Sequence, residues 1–412
     1  MLRPLALAAA ALLALAAACS GGSGGSGGSD GSDGSDGSDG SDSPYQELLT
    51  LLPDTPETRE ALVLVDYDLI NEHLGLEIPG PDADLDELEA HRERVIRESV
   101  KLGSNWFDQF WVPFVIGYHA TAHPSMSALI GFDLRNVRAS ATTALANDQL
   151  SVMIGSFDPA AVNYAIQRCV TLVSECAPHD LQTYIGVKYY EWPANDDPVA
   201  ISANLLPALD NRGRIPRTSV AKSHVLQGAT TPGIEALIDT GLGRHASLAD
   251  VEDFRLLADA MTELGASLTI LSDRPQSVGI AFRRLFEGTD EELDIAEVLF
   301  GFKDQQAEEA LWPFNAHAVG FGLDEDGPYM AVALVHDSPA LAENNVAQLA
   351  RRIDAGANLE AGLLWSNLID EVEVRADGRV LLATLRGSIT GDWIDIALTE
   401  SLLWHSGPDS ID

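Results

Sequence analysis

From Pro44 onward, two rhythms of apolar and polar positions run along the chain, and each predicts a different element. "ALVLVDY" is a short apolar run rich in branched residues, the pattern of a buried strand. "SALIGFD", "LSVMIGSF", "TYIGVKYYEW" and "SVAKSHVLQGA" read as strands in the same way. "LDELEAHRERVIRESVKL" instead spaces its apolar residues at helical intervals and predicts a charged amphipathic helix. After Trp312 come two long strand-like stretches, each broken once. "AHAVGFGLDEDGPYMAVALV" is expected to turn at Asp326-Gly327, and "LIDEVEVRADGRVLLATLRG" at Asp377-Gly378, because Gly, and Asp more than most residues, accepts the positive φ of a tight hairpin turn. Hairpins make antiparallel strands. The predicted class is therefore α+β, with repeated strand–helix units on antiparallel sheets and C-terminal β-hairpins followed by a helix.

A local pattern recurs three times. "MIGSFDPAAVNYAIQRC", "LQGATTPGIEALIDTGL" and "LVHDSPALAENNVAQLA" each run strand, polar residue, Pro, helix. Asp158, Thr231 and Ser338 are the expected N-caps, since a side-chain oxygen there can accept from a free backbone N–H. Pro159, Pro232 and Pro339 follow where a missing N–H costs little. Ser247 and Asp250 add a fourth start, of the capping-box kind. The recurrence suggests repeated layers with helices on one face of the sheets. Two similar subdomains within 44–412, meeting near 205–215, are one organisation that fits.

The N-terminal pattern is different. Arg3 precedes a Leu/Ala run that ends in small residues, the layout of a secretory signal over 1–18. The run is too short for a membrane span, which needs roughly 20 apolar residues. "LAAAC", Leu15 to Cys19, resembles the lipobox of bacterial lipoproteins, although Ala16 stands where Leu is commoner. That resemblance implies cleavage before Cys19 and a diacylglycerol on its sulfur, hence a chain anchored to a membrane of the cell envelope on its extracytoplasmic side. Plain secretion with cleavage near Ala18 is the alternative. Ser20 to Ser43 carries no hydrophobic residue, so it is expected to stay disordered. As a flexible coil it would span roughly 27 Å, enough to hold a domain off a surface.

Charge narrows the partners. The chain has 25 Lys+Arg against 63 Asp+Glu, a net charge of -38. Nucleic acid and anionic lipid surfaces attract basic patches, so neither is an expected partner beyond the lipid anchor itself. The acidity suits either a saline habitat or plain solubility.

With Cys19 assigned to lipid, Cys169 and Cys176 remain, both in "RCVTLVSEC". An exported chain makes a disulfide between them the expected state, with free buried thiols or a metal pair as the alternatives. A helix beginning near Asp158 must end between the two, because seven residues of helix would hold their Cα atoms roughly 10 Å apart.

No nucleophile elbow, phosphate loop, H-E-x-x-H or EF-hand loop occurs in the sequence. His119 and His123 are spaced as metal ligands on a helix, but Pro124 follows and no acidic partner is near, so ordinary histidines are expected. "LDEDG", Asp324 to Asp326, reads as a hairpin turn before it reads as a cation loop. Trp106, Phe107, Phe110, Trp111 and Phe114 form the densest aromatic stretch, read as core packing, with a ligand groove or a membrane-resting patch as alternatives. No catalytic, cofactor or metal residue is assigned. The texture is similar to bacterial lipoproteins built from a signal, a linker and a large α+β domain, a likeness that transfers no catalytic residues. It implies a binding or assembly protein for a protein or small-molecule ligand. An extracytoplasmic hydrolase with an unrecognised site, or a solute-binding lipoprotein, is the alternative.

Overall fold

The computed structural model describes residues 43–80, 131–132, 134–143, 148–172, 180–191, 217–274, 310–355, 357–358, 363–392 and 403, with scattered residues between 83 and 97. Its centre is a 12-stranded sheet. The strands are β1 (Leu62–Asp66), β2 (Val137–Thr143), β3 (Leu150–Gly155), β4 (Asp180–Tyr184), β5 (Val187–Glu191), β6 (Arg217–Val220), β7 (His224–Gly228), β8 (Ala266–Ser272), β9 (Ala316–Asp324), β10 (Gly327–Val335), β13 (Glu371–Asp377) and β14 (Val380–Arg386). β11 (Ala357–Asn358) and β12 (Leu363–Leu364) form a separate small ladder. Across the large sheet the order is β13-β14-β10-β9-β8-β1-β2-β3-β7-β6-β5-β4. Each pairing described is antiparallel, as the hairpin signals predict.

The sheet is covered on both faces, which corrects the expectation of helices on one face. On one side lie α1 (Pro44–Leu51), α5 (Thr231–Gly241) and α6 (Glu252–Glu263). Their Leu48, Leu49, Ile234, Leu237, Phe254 and Met261 meet Leu62, Leu64, Val152 and Ile154 in one core. Over β9 and β10 the sheet offers mostly alanine to this side (Ala316, Ala318, Ala331, Ala333), so α6 lies close and supplies the bulk. On the other side lie α3 (Tyr67–His73), α4 (Pro159–Leu172) and α7 (Pro339–Ala355). There Tyr67, Ile70, Val162, Leu349 and Ile353 pack on Val63, Val65, Met153, Ile270, Phe321 and Leu334. Double coverage explains why β8 is buried throughout and β10 along its last seven residues, so these antiparallel strands read as unbroken runs and not as alternations.

The expected side-chain cap is seen ahead of α4, where Asp158 Oδ1 accepts from Ala160 N at 2.9 Å. Ahead of α7 the main-chain carbonyl of Ser338 receives the Leu341 and Ala342 N–H groups. For α5 the cap is Thr230, whose hydroxyl accepts from Gly233 N at 3.2 Å, and not Thr231. Thr231 has turned toward Glu191 and Arg217 on the neighbouring strands. Asp250 accepts from Ser247 N at 2.8 Å, closing a single turn, Leu248–Asp250, just before α6. A fourth cap-Pro pair begins the fold: Ser43 Oγ accepts from Gln46 N at 3.2 Å and Pro44 opens α1. A short α2 (Pro56–Glu60) then leads into β1.

The chain order contains an approximate two-fold. From β1 the path is β2–β3 hairpin, α4, β4–β5, β6–β7; from β8 it is β9–β10 hairpin, α7, β11–β12, β13–β14. The two starting strands pair antiparallel at the middle of the sheet, Leu62 opposite Leu271 and Val65 opposite Leu268. α4 and α7 share one face, while α1 and α6 share the other, each over the first three strands of its own half. The 205–215 segment lies outside the described residues.

Two strands expected to be single are hairpins. "TYIGVKYYEW" folds back at Ile185-Gly186, with Tyr184 opposite Val187. "SVAKSHVLQGA" folds back through Ala221 to Ser223, with Val220 opposite Val225. The C-terminal hairpins are present, their two-residue loops being Glu325-Asp326 and Gly378-Arg379, each one residue from the expected position. A short helical turn, Ser388–Asp392, follows β14. "SALIGFD" and the charged helix from Leu85 fall largely outside the described residues.

Candidate functional site

Cys19, Cys176, His119, His123 and the aromatic stretch Trp106 to Phe114 lie outside the described residues. Cys169 is on α4, which is described as far as Leu172; its pairing with Cys176 lies outside as well. "LDEDG" is a hairpin corner. Asp324 accepts from Asp326 N at 3.0 Å and from the Arg386 guanidinium at 2.6 Å, and these donors hold its carboxyl below the usual range although burial opposes them. The same guanidinium lies 5.1 Å from the Tyr329 ring centre. The corner is thus tied down by a cation that comes from β14.

The buried polar side chains concentrate on the α3/α4/α7 side of the sheet. Ser140, Thr142, Ser151, Ser272, His317 and His336 interrupt the apolar rows of β2, β3, β8, β9 and the end of β10. Most find partners within the fold. Tyr67 Oη and Ser140 Oγ are 3.2 Å apart, Thr142 and Ser151 hydroxyls 3.0 Å apart, and Ser272 donates to the Glu60 carbonyl at 2.7 Å. Burial pushes the Tyr67 phenol well above its ordinary value, so it stays protonated and serves as a hydrogen-bonding group. Asp66, which caps α3 through Leu69 N at 3.0 Å, is also raised, by burial first.

The densest of these groupings is the corner where β10 ends and α7 begins. Asn345, fully buried on α7, accepts from Trp312 N at 2.7 Å and donates to Trp312 O at 2.9 Å. Its amide nitrogen is also 2.7 Å from His336 Nε2. His336 Nδ1 lies 3.3 Å from the Arg379 carbonyl. The rings of His317 and His336 both stand edge-on to Phe314, with centroids 6.0 and 6.3 Å away. Burial lowers the His336 pKa; bonds to the backbone and the Asp337 charge oppose it without prevailing. Three separate stretches of chain therefore meet through one carboxamide and one imidazole. Sequence reading misses this grouping, since partners 9 and 33 positions apart share no local spacing.

Chemically, these groups are arranged to hold chain segments. A serine–histidine contact, Ser223 Oγ to His224 Nδ1 at 3.1 Å, joins neighbours in the β6–β7 turn, where Ser223 is exposed. Among the described residues no cluster of three or more His, Cys, Asp or Glu is placed to hold a metal ion. Among them, too, no helix is long and apolar enough to cross a membrane. Twelve of the described strands form one antiparallel sheet, and β11 and β12 a separate ladder.

No protein-family model matches the chain, and no curated protein matches it. Among solved structures, crystal form III of TP0453, a Treponema protein, is similar at 9% identity over 85% of this chain and 97% of that one, with a TM-score of 0.38. Crystal form I of the same protein gives 10% identity, 86% and 98% coverage, and a TM-score of 0.35. Likenesses this distant carry no argument about fold or function.

Proposed function

We propose that this protein is a lipoprotein of the cell envelope, anchored on the extracytoplasmic side through Cys19, whose folded region binds or assembles with a partner and does no chemistry of its own. One observation carries the reading: Ser43 is at once the last residue of the Gly/Ser/Asp leash and the cap of α1. The leash thus runs directly into the first described helix, and in the sequence only the leash lies between Cys19 and that helix. A holding role for the folded region is supported by its polar side chains, which bond to one another and to main chain on the buried face of the sheet.

The test has two arms. In detergent phase separation the full chain is expected in the detergent phase and Cys19→Ser in the aqueous phase; equal partition into water would overturn the anchor. Incubation of the Cys19→Ser chain with envelope extract, followed by mass spectrometry of retained proteins and small molecules, is expected to show a ligand held at fixed stoichiometry. A compound that disappears with time while its hydrolysis product accumulates would replace the binding role with the hydrolase reading.

A further inference from the structure

We propose that Asn345, His336 and Trp312 form an acid-released latch, closed while His336 is neutral and opened when it takes a second proton. The argument begins with the Asn345 amide. Its two ends face the two main-chain groups of one residue, Trp312 N–H at 2.7 Å and Trp312 C=O at 2.9 Å. Only one orientation satisfies both: oxygen toward the N–H, nitrogen toward the carbonyl. The second amide hydrogen then points at His336 Nε2, 2.7 Å away, so that nitrogen must be the acceptor. The imidazole proton therefore sits on Nδ1, facing the Arg379 carbonyl at 3.3 Å. The two main-chain bonds of Trp312 thus fix the tautomer of His336.

Protonation of Nε2 breaks this arrangement. An N–H would then oppose an N–H at 2.7 Å. Turning the amide over would relieve that contact, but it would set oxygen against the Trp312 carbonyl and nitrogen against its N–H. On either route Trp312 loses its hold on α7. Trp312 is 47% exposed and stands four residues before β9, so its release loosens the entry to that strand.

The charges around His336 come from every element that meets it. Asp337, next in the chain, is exposed and accepts from Asn315 at 2.8 Å. Arg379, in the β13–β14 turn, donates to the His336 carbonyl at 3.2 Å, and its cation is paired with Glu252 at 3.1 Å and Asp253 at 2.7 Å on α6. His317 shares the Phe314 ring, and α7 presents the uncharged Asn345. Burial outweighs Asp337 and depresses the imidazole pKa. The sign follows. Above the ordinary imidazole value, near 6.5, folded and unfolded chains are both neutral here and the latch is fully closed. As pH falls below that value the unfolded or opened form binds the proton first, so closure is lost toward the depressed folded value.

The experiment uses the full chain in detergent micelles. Histidine-labelled NMR at pH 7.5 is expected to show His336 as the Nδ1–H tautomer, titrating below the usual value, with its signal assigned by loss in His336→Gln. An Nε2–H tautomer, or titration at or above 6.5, would overturn the latch. Hydrogen exchange over residues 311–316, corrected for intrinsic rates, is expected to lose protection from pH 7.5 to 5, the direction that the depressed imidazole implies. His336→Gln can still accept from Asn345 but cannot titrate, and its protection should stay level. Asn345→Asp would favour the charged imidazole and should abolish or reverse the acid loss. Equal protection of the unaltered chain at both pH values, or the same loss in His336→Gln, would sink the proposal. If either variant does not fold, the tautomer and titration of the unaltered chain decide alone.

Discussion

The two halves of the sheet share a path but not a way of holding it. In the first half the corner from β3 to α4 is closed by backbone. Gly155 N donates to Ser223 O at 2.9 Å, Ser156 N to Asn136 O at 2.8 Å and Phe157 N to Lys222 O at 2.9 Å. In the second half the corner from β10 to α7 has two such bonds, His336 N to Arg379 O at 2.8 Å and Asn315 N to Val335 O at 2.7 Å, and side chains add the rest. Backbone amides do not titrate in this range, whereas an imidazole does. The same topology therefore closes one corner mainly through main chain and the other through an imidazole as well, which is where the proposed latch sits. The halves also differ in reach. The first places seven strands in the large sheet and the second five, because β11 and β12 stay apart.

The backbone corner is the more brittle under substitution. A Cβ on Gly155 would stand 1.9 Å from the Asn136 carbonyl, and backbone cannot swing aside as a side chain can. Gly155→Ala is expected to cost about 3 kcal/mol or more, read from the urea midpoint. Asp337→Ala, at the exposed rim of the other corner, should stay within about 0.5 kcal/mol. Similar losses at both positions would mean that the corners are not closed by different means.

The next contrast sets two asparagines against each other. Asn345→Ala would leave three groups without this partner, the part-buried Trp312 N–H and C=O and the buried His336 Nε2, and is expected to cost about 3 kcal/mol. Asn163, on α4 of the first half, accepts from Tyr190 Oη at 2.5 Å and from Gln167 at 3.0 Å, in a place water can reach. Asn163→Ala should cost about 1 kcal/mol. Equal costs would show that the carboxamide on α7 is not the special fastener of its half.

Legibility in the sequence followed the same divide between local and distant. β1 and β3 were readable because branched apolar runs stop at polar residues. α4 and α7 were readable because a polar side chain and a proline mark the first turn in two adjacent positions. β2, "VRASATT", gave no such signal. Its small and hydroxyl residues suit a strand covered on both sides, where Ser140 and Thr142 meet Tyr67 and Ser151. "TYIGVKYYEW" read as one strand since an isoleucine at a turn with positive φ runs against preference. The Trp312–His336–Asn345 grouping was invisible because tertiary folding alone brings those residues together.

The smallest effect belongs to that isoleucine, and it should be a gain. Ile185 and Gly186 form the two-residue loop between β4 and β5, with φ of +50° and +83°. A type I′ turn needs positive φ at both central positions and favours Asn-Gly. For a branched side chain the left-handed region costs roughly 1–2 kcal/mol, from Cβ against the following carbonyl oxygen. The β13–β14 hairpin avoids this cost by placing Gly378, φ +55°, at the first loop position. Ile185→Asn should therefore raise stability by about 1 kcal/mol, and Gly378→Ile should lower it by a similar amount, both read from urea midpoints. Ile185 is 40% exposed, so little packing is lost in the exchange. A loss on Ile185→Asn would show that the side chain's remaining contacts outweigh its backbone strain, and the two hairpins would then differ in packing and not in turn chemistry.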